Sequence, residues 1–290
     1  MKAILITATT LLIWYPVFAQ DDLMAMMQST DTEPTEVSST FKAIRLVNGH
    51  TTRTLSARTL DAVINHRFGS VEGGVDEFWG LDDAQIRLGL EYGATDRLTI
   101  GAARSSFENV VDTYLKYKLL AQKTSGTPIT ITAFVSSAIK TGSEAFLDQD
   151  YEYSLTQRLH YTSQLLISHK VDSKLSLQIM PSWVHSNLVQ NAQEPNDILA
   201  TGVGGRYKLT PRVSFNAEYY PTLNSDDRYT DSFAFGFDIE TGGHVFQLHL
   251  TNSRAMIEEG FIASNTGAWN DGDIHFGFNI SRSFDLSRKK

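Results

Sequence analysis

The segment from residue 274 to residue 284 constrains the fold of this chain more than any other. One face of it carries apolar side chains, which are those of Ile274, Phe276, Phe278, Ile280 and Phe284. The other face carries His275, Gly277, Asn279, Ser281 and Ser283, and Arg282 alone breaks the alternation. Because successive side chains of a β-strand point to opposite faces, this pattern predicts a strand with one apolar and one polar face.

The N-terminus has the pattern of a secretory signal peptide. Lys2 supplies a basic start, residues 3–18 form an apolar core without charges, and Ala19 is a small residue suited to cleavage before Gln20. A transmembrane anchor is the alternative, but the core is short and two acidic residues follow it. The sequence therefore predicts a signal peptide at residues 1–19 and an exported protein.

Composition excludes several classes of protein. The net charge of −8 argues against a general affinity for nucleic acid. Cysteine is absent, which removes disulfides, thiolate metal sites and cysteine nucleophiles. After the signal peptide no apolar run approaches the length of a membrane-spanning helix, so only a β-barrel would cross a bilayer.

From residue 57 onward, about twelve segments show a strand-like alternation of apolar and polar residues. The connections between them alternate between tight turns and longer loops, as in outer-membrane barrels with short periplasmic turns and long extracellular loops. We therefore predict an all-β fold, an antiparallel transmembrane β-barrel of about 12 strands over residues 57–290, with both ends on the periplasmic side. A fourteen-stranded barrel and a soluble sandwich or jelly roll are the alternatives.

Two hairpins allow a prediction of strand register. A two-residue turn at Gly242 and Gly243 places apolar residues opposite each other, pairing Ile239 with Phe246, Phe237 with Leu248 and Phe235 with Leu250. A loop at residues 94–96 likewise pairs Tyr92 with Leu98, Leu90 with Ile100 and Leu88 with Ala102. In both hairpins the predicted register keeps one face apolar.

Residues 20–56 precede the predicted barrel and begin with a polar stretch. We interpret them as a periplasmic N-terminal segment. Within this segment, Phe41 to Asn48 looks like a strand, and a thirteenth strand would move the C-terminus to the other side of the membrane. This short run is therefore expected either in the periplasm or tucked into the lumen.

Short motifs in the first half of the chain carry a family resemblance. They are Asn65, His66, Arg67, Phe68 and Gly69; Tyr92, Gly93, Asp96, Arg97, Leu98, Gly101, Arg104, Ser105 and Ser106; and Lys116, Tyr117 and Lys118. With these motifs the chain resembles a bacterial outer-membrane β-barrel family, Domain of Unknown Function family 5777, and the resemblance continues through Leu165 to His185. It implies an outer-membrane barrel and assigns no catalytic residue.

Charged and polar residues at inward-facing positions are the candidates for lining the lumen. They are Arg67, Arg87, Glu91, Lys116, Lys118, Arg158, His160, Arg206, Glu218, Asp238 and His249. Mixed charges either line a narrow solute path or pair across the lumen and plug it. Inward glycines such as Gly101 and Gly202 either leave room for a solute or accommodate bulky neighbours.

No catalytic motif is recognisable. The Gly-x-Ser-x-Gly elbow and the His-Glu-x-x-His zinc pattern are absent, and the histidines show no metal-ligand spacing. We predict no enzyme activity, cofactor or metal, and outer-membrane lipid as the surroundings. The leading functional hypothesis is a narrow channel for a small polar solute. A plugged barrel with a structural or partner-binding role, and less favourably an outer-membrane enzyme, are the alternatives, and a periplasmic partner stays unidentified.

Overall fold

The computed structural model describes residues 34–142, 152–191 and 193–287. The predicted signal peptide at residues 1–19 and the first part of the predicted N-terminal segment lie outside these ranges. Among the described residues, no helix is long and apolar enough to cross a membrane.

Twelve antiparallel strands form a closed barrel in which each strand pairs with its neighbours in sequence and the last strand pairs with the first. The strands are β1 (Thr59–Ser70), β2 (Ala84–Thr95), β3 (Leu98–Ser105), β4 (Val110–Leu120), β5 (Thr130–Lys140), β6 (Leu159–Lys170), β7 (Leu175–Ser186), β8 (Asp197–Lys208), β9 (Val213–Tyr220), β10 (Ser232–Thr241), β11 (His244–Thr251) and β12 (His275–Asp285). The predicted fold class and strand number are confirmed.

The two faces of the wall have opposite polarity. On β2 the outward residues Leu88 and Leu90 are 53% and 57% exposed, whereas the inward residues Arg87 and Glu91 are 1% and 2% exposed. Outward leucine suits a hydrocarbon environment, and inward charge requires partners within the lumen. The apolar and polar alternation of the sequence thus separates the outside of the barrel from its interior.

The barrel has a short-turn rim and a long-loop rim. Tight turns join β2 to β3, β6 to β7, β8 to β9 and β10 to β11, and a nine-residue connection joins β4 to β5 at the same rim. The start of β1 and the end of β12 also meet at this rim, where Thr59 lies opposite Asp285. The other six connections form the long-loop rim.

One of the two predicted registers is correct and the other is shifted. β10 and β11 pair Ile239 with Phe246, Phe237 with Leu248 and Phe235 with Leu250, as predicted. β2 and β3 instead pair Tyr92 with Ile100, Leu90 with Ala102 and Leu88 with Arg104, two residues from the predicted register. The turn is tighter than predicted, with Thr95 opposite Leu98, and the Thr95 hydroxyl accepts from the backbone N–H of Leu98. A bulge between Gly93 and Thr95 then moves the register by one residue, so that outward side chains again lie opposite each other.

Two segments outside the wall fill the middle of the lumen. The first, residues 41–55, enters from the short-turn rim and turns back on itself, with a β-bridge between Arg45 and His50. We call it the N-terminal hairpin. The second, residues 252–265 of the connection between β11 and β12, folds inward from the long-loop rim and includes a π-helical turn at Glu259–Ala263. We call it the inner loop.

The position of the N-terminal hairpin differs from the periplasmic placement that we favoured for residues 20–56. Its apolar side chains Phe41, Leu46 and Leu55 are all buried. Inward-facing residues of the wall surround the hairpin and keep water away from these side chains. Some of the same residues donate hydrogen bonds to backbone carbonyls of the hairpin, in place of water. Of the two positions left open for Phe41 to Asn48, the structure places the run in the lumen.

Candidate functional site

A wall carboxylate holds the tip of the N-terminal hairpin. Glu218 on β9 accepts hydrogen bonds from three successive backbone N–H groups, those of Val47 at 3.3 Å, Asn48 at 2.6 Å and Gly49 at 3.2 Å. Successive N–H groups that converge in this way form an anion-binding concavity. These N–H groups satisfy the hydrogen-bonding needs of the buried carboxylate without a cation. The same hydrogen bonds fix the position of the hairpin tip along the axis of the barrel.

Polar residues on the opposite side of the wall hold the returning arm of the hairpin. Lys116 on β4 donates to the Thr51 carbonyl at 2.8 Å, and Thr132 on β5 donates to the Thr52 carbonyl at 3.0 Å. The hydroxyls of Thr52 and Ser168 on β6 lie 2.6 Å apart. All of these groups are buried, so each hydrogen bond removes an otherwise unsatisfied polar atom. Specific hydrogen bonds from the wall therefore hold the hairpin in a defined position.

The hairpin meets the inner loop through a buried ion pair. Arg45 Nη1 lies 3.1 Å from Glu258 Oε1, and His50 Nε2 lies 3.7 Å from the same oxygen. Arg45 and Glu258 are 5% and 4% exposed. Breaking a buried pair by removing one partner leaves an uncompensated charge in a dry environment. This contact thus couples the two segments that close the lumen.

Burial and neighbouring charges set the protonation of these groups. Burial, followed by the positive charges of Arg45 and Lys116, lowers the pKa of His50 well below its usual value, so His50 is neutral near pH 7. Burial raises the pKa of Glu258, and the charge of Arg45 opposes this rise. Burial would also raise the pKa of Glu259, but the Lys140 ammonium and His160 outweigh it and lower that pKa to about 2.

The inner loop also makes an apolar contact with the wall. Phe261 and Ile262 are buried together with Met180 and Val184 of β7 and Tyr220 of β9. The rings of Phe261 and Tyr220 pack edge to face with their centroids 5.1 Å apart. The lumen is therefore closed by a polar layer at the hairpin and an apolar layer beside the inner loop.

A bidentate ion pair within the wall lies beside this closure. The Arg87 guanidinium on β2 donates to the two carboxylate oxygens of Asp112 on β4 at 2.5 Å and 3.0 Å, and to Asn65 of β1 at 3.0 Å. The pair bridges across β3, because β2 and β4 are not adjacent. Arg87 thus has a carboxylate partner on the wall, whereas Glu218 is used by the hairpin.

We expect Asp112→Ala to lower the free energy of unfolding by about 3–5 kcal/mol, because it leaves Arg87 charged and unpaired in the barrel interior. The measurement is urea unfolding of the refolded protein in detergent, followed by heat-modifiable mobility in gels. Thr113→Ala is the matched control, since the neighbouring Thr113 points outward and is exposed; its effect should stay within about 0.5 kcal/mol. Equal unfolding curves for the two variants would contradict this assignment of Asp112.

The structure places most of the predicted lumen residues on the inner face of the wall. These are Arg67, Arg87, Glu91, Lys116, Lys118, His160, Arg206, Glu218, Asp238 and His249. Arg158 is an exception because residues 155–158 form a turn and β6 begins only at Leu159. Its guanidinium donates to the Tyr153 carbonyl at 3.0 Å in the long-loop rim.

Three of these inward residues contact the hairpin, the residues just before it, or a wall residue that binds it. Arg67 donates to the Asn48 side chain at 2.8 Å, and Arg206 donates to the carbonyls of Ser39 and Thr40, each at 3.2 Å. Asp238 accepts from Gln247 at 2.8 Å, whose amide also donates to carbonyls of the hairpin. Arg67 therefore holds the hairpin directly, Asp238 holds it through Gln247, and Arg206 holds the residues just before it.

Sequence reasoning missed the residues on the other side of these contacts. They are Arg45 and His50 of the hairpin and Glu258 and Glu259 of the inner loop. The strand-like run at Phe41 to Asn48 was a signal for the hairpin. The inner loop offered a weaker one, an apolar run at Ala255, Met256 and Ile257 within a connection expected to be exposed.

Two cavities flank the closure. One of about 600 Å³ opens at the long-loop rim and is lined by residues that include Lys140, His160 and Glu259. The other, of about 650 Å³, opens at the short-turn rim and is lined by residues that include Lys42, Arg53 and Lys118. Among the described residues, no group of three or more histidines and carboxylates is arranged to hold a metal ion.

Comparison with solved structures finds similar barrels at low sequence identity. The NanC porin is 12% identical over 78% of this chain and 98% of its own, with a TM-score of 0.49. The COG4313 outer membrane channel from Pseudomonas putida F1 is 17% identical over 80% and 98%, with a TM-score of 0.48. The KdgM porin is 9% identical over 78% and 99%, with a TM-score of 0.47.

A comparison with curated proteins finds no significant match. The profile of DUF5777, described as a membrane bound beta barrel domain, matches residues 41–284. That range contains the N-terminal hairpin and almost the whole wall, so the match extends to the segment that closes the lumen. The chain belongs to this family of membrane-bound β-barrels, Domain of Unknown Function family 5777.

Proposed function

We propose that the protein is a gated outer-membrane channel for a small polar solute, without enzyme activity, and that the N-terminal hairpin and the inner loop form its gate. The observation that carries the proposal is the pair of cavities, each open at its own rim and separated by these two segments. In this conformation the gate is closed. The long-loop rim then faces the exterior and the short-turn rim faces the periplasm.

The attachment of the two segments supports a gate that moves. The hairpin is tied to the wall covalently only at its end before β1, and the inner loop is a connection that takes no part in the pairing of the strands. Withdrawal of either segment leaves every ladder of the barrel intact. The contacts that would break include many hydrogen bonds, which water replaces at a small net cost. They also include the apolar contacts of Phe261 and Ile262, whose exposure to water favours the closed state.

A permanently plugged barrel with a structural or partner-binding role is the second candidate. The buried Arg45–Glu258 pair favours it, because a stable closure would use such a contact. The two proposals differ in whether the lumen ever opens. A plugged barrel conducts no ions under any condition that leaves it folded.

Single-channel recording of residues 20–290 in a planar lipid bilayer tests the proposal. We expect a mostly closed protein with brief stepwise openings, because hydrogen bonds, a buried ion pair and apolar contacts all favour the closed state. A folded barrel is verified beforehand by its heat-modifiable mobility. Complete absence of openings from verified barrels, across applied voltages of both signs, would contradict the channel and favour the plugged barrel.

A further inference from the structure

Arg282 interrupts the apolar face of β12, and it takes no part in the proposed gate. Its side chain points outward and is exposed, near the end of the strand at the short-turn rim. The guanidinium lies over the ring of Phe284, with Cζ 5.0 Å from the ring centroid. In the described part of the chain, the guanidinium forms no hydrogen bond or ion pair. Its N–H donors therefore face the surroundings of the barrel.

Two polar residues on the adjacent strands extend this position into a row. His244 of β11 lies directly opposite Arg282, and Thr241 of β10 lies opposite His244. His244 shares the outward face with Phe246, and the centroids of their rings are 6.1 Å apart. Side chains that lie directly opposite each other on one face of an antiparallel pair have Cβ atoms about 5 Å apart. The imidazole and the guanidinium are therefore close enough to contact the same small anion.

An apolar row lies beside the polar row, on the side toward the middle of the membrane. It consists of Ile239, Phe246 and Ile280, which lie opposite one another on the same three strands and face outward. The polar row thus lies at the level where the hydrocarbon of one leaflet ends and its headgroups begin. An outward arginine is costly in the hydrocarbon, but the cost is small at this level, where lipid phosphates are present.

Among the described residues, no carboxylate forms an ion pair with the polar row. Glu240, which precedes Thr241, lies 2.9 Å from Lys42. Asp285, at the end of β12, accepts a hydrogen bond from the Ser287 hydroxyl at 2.5 Å. An outward cation without a carboxylate partner attracts an anion from its surroundings.

We propose that the row of Arg282, His244 and Thr241 binds the headgroup phosphate of an anionic phospholipid, whose acyl chains lie along the adjacent apolar row. A guanidinium donates two parallel hydrogen bonds to a phosphate, and the ring of Phe284 holds it in place. The site lies on the outside of the wall. It goes beyond the proposed channel and is the same whether the gate is open or closed.

Native mass spectrometry of the refolded wild-type protein in detergent measures the binding of individual lipids and needs no variant. Phosphatidylglycerol and phosphatidylethanolamine with identical acyl chains share the phosphate and differ in net charge. Because a basic residue at the membrane surface favours anionic lipid, phosphatidylglycerol should bind about fivefold more tightly or better. Equal affinities, or a preference for phosphatidylethanolamine, would overturn the inference.

Arg282→Gln locates the site. This change removes the charge, and it should weaken phosphatidylglycerol binding by about fivefold or more. Arg104→Gln is the matched control, because Arg104 is also an exposed outward arginine of the wall but lies at the long-loop end of β3, where it donates to Asn109 at 2.9 Å. Its substitution should leave the affinity unchanged. Wild-type affinity in Arg282→Gln, or an equal loss in both variants, would refute the site.

A soluble phosphate ester separates the lipid from other sources of the same chemistry. Glycerol phosphate carries the phosphate without acyl chains, and it should not displace phosphatidylglycerol at an equal concentration, because the apolar row contributes nothing to its binding. Displacement at equal concentration would show that the site takes soluble phosphate esters and would overturn the lipid assignment.

Discussion

Locking the N-terminal hairpin to the wall should abolish channel openings. The Thr52 and Ser168 hydroxyls lie 2.6 Å apart, so cysteines at both positions place two sulfurs within reach of a disulfide. The chain has no cysteine of its own, so no other disulfide can form. For Thr52→Cys with Ser168→Cys, we expect silence in single-channel recordings under oxidising conditions and wild-type openings after addition of a reductant.

A second disulfide controls for the effects of oxidation and of the cysteines themselves. Ser136 on β5 and Thr162 on β6 lie opposite each other in the wall, and both point inward. Ser136→Cys with Thr162→Cys therefore links two strands that are already paired and leaves the hairpin free. This variant should open equally often in oxidising and reducing conditions. Persistent openings in the oxidised Thr52–Ser168 variant would show that solute passes without movement of the hairpin.

The wall of the barrel was predictable because strand polarity is a local property. Leu88 and Leu90 face outward and Arg87 and Glu91 face inward, since a membrane-spanning strand must separate lipid from the interior at every second residue. The register was predictable only where the turn was simple. At Gly242 and Gly243 two glycines adopt positive φ angles and form a two-residue turn, whereas the bulge after Gly93 has no comparable signal.

The closure of the lumen was less predictable because its contacts join distant parts of the chain. Arg45 meets Glu258 across 213 positions, and no periodicity relates the two residues. The role of the inward glycines was ambiguous because it depends on side chains of other strands. A Cβ atom on Gly101 would lie 2.1 Å from the Tyr114 ring, and one on Gly202 would lie 2.4 Å from the Tyr220 ring. Glycine at these positions accommodates bulky inward neighbours and does not widen a path.

The way in which the closing segments are held suggests where closure is most sensitive to substitution. Wall hydrogen bonds to the hairpin are spread over many strands, so loss of one of them is partly replaced by water. A steric conflict at the tip is different, because the whole hairpin must move to relieve it. At the tip, Gly49 lies against Tyr220 of β9.

Gly49→Ala should shift the gate toward its open state. A Cβ atom at this position would lie 1.8 Å from the Tyr220 hydroxyl oxygen and 2.9 Å from Cζ. Tyr220 is fully buried, its hydroxyl lies 3.0 Å from Met180 Sδ, and its ring packs against Phe261, so it has no space to withdraw. Overpacking of this kind costs about 1–3 kcal/mol, which lowers the ratio of closed to open channels by about fivefold to 150-fold. Longer openings in single-channel recordings, with unchanged heat-modifiable mobility, are the expected result.

A second substitution tests whether the conflict with Tyr220 is the cause. Tyr220→Phe removes the hydroxyl oxygen and keeps the ring, so the closest remaining contact of an added Cβ atom is the ring carbon at 2.9 Å. Gly49→Ala combined with Tyr220→Phe should therefore close more often than Gly49→Ala alone, while Tyr220→Phe alone should stay close to wild type. Equal open times in the single and double variants would mean that Gly49→Ala acts on the hairpin itself. A closed Gly49→Ala channel would place the tip of the hairpin outside the gate.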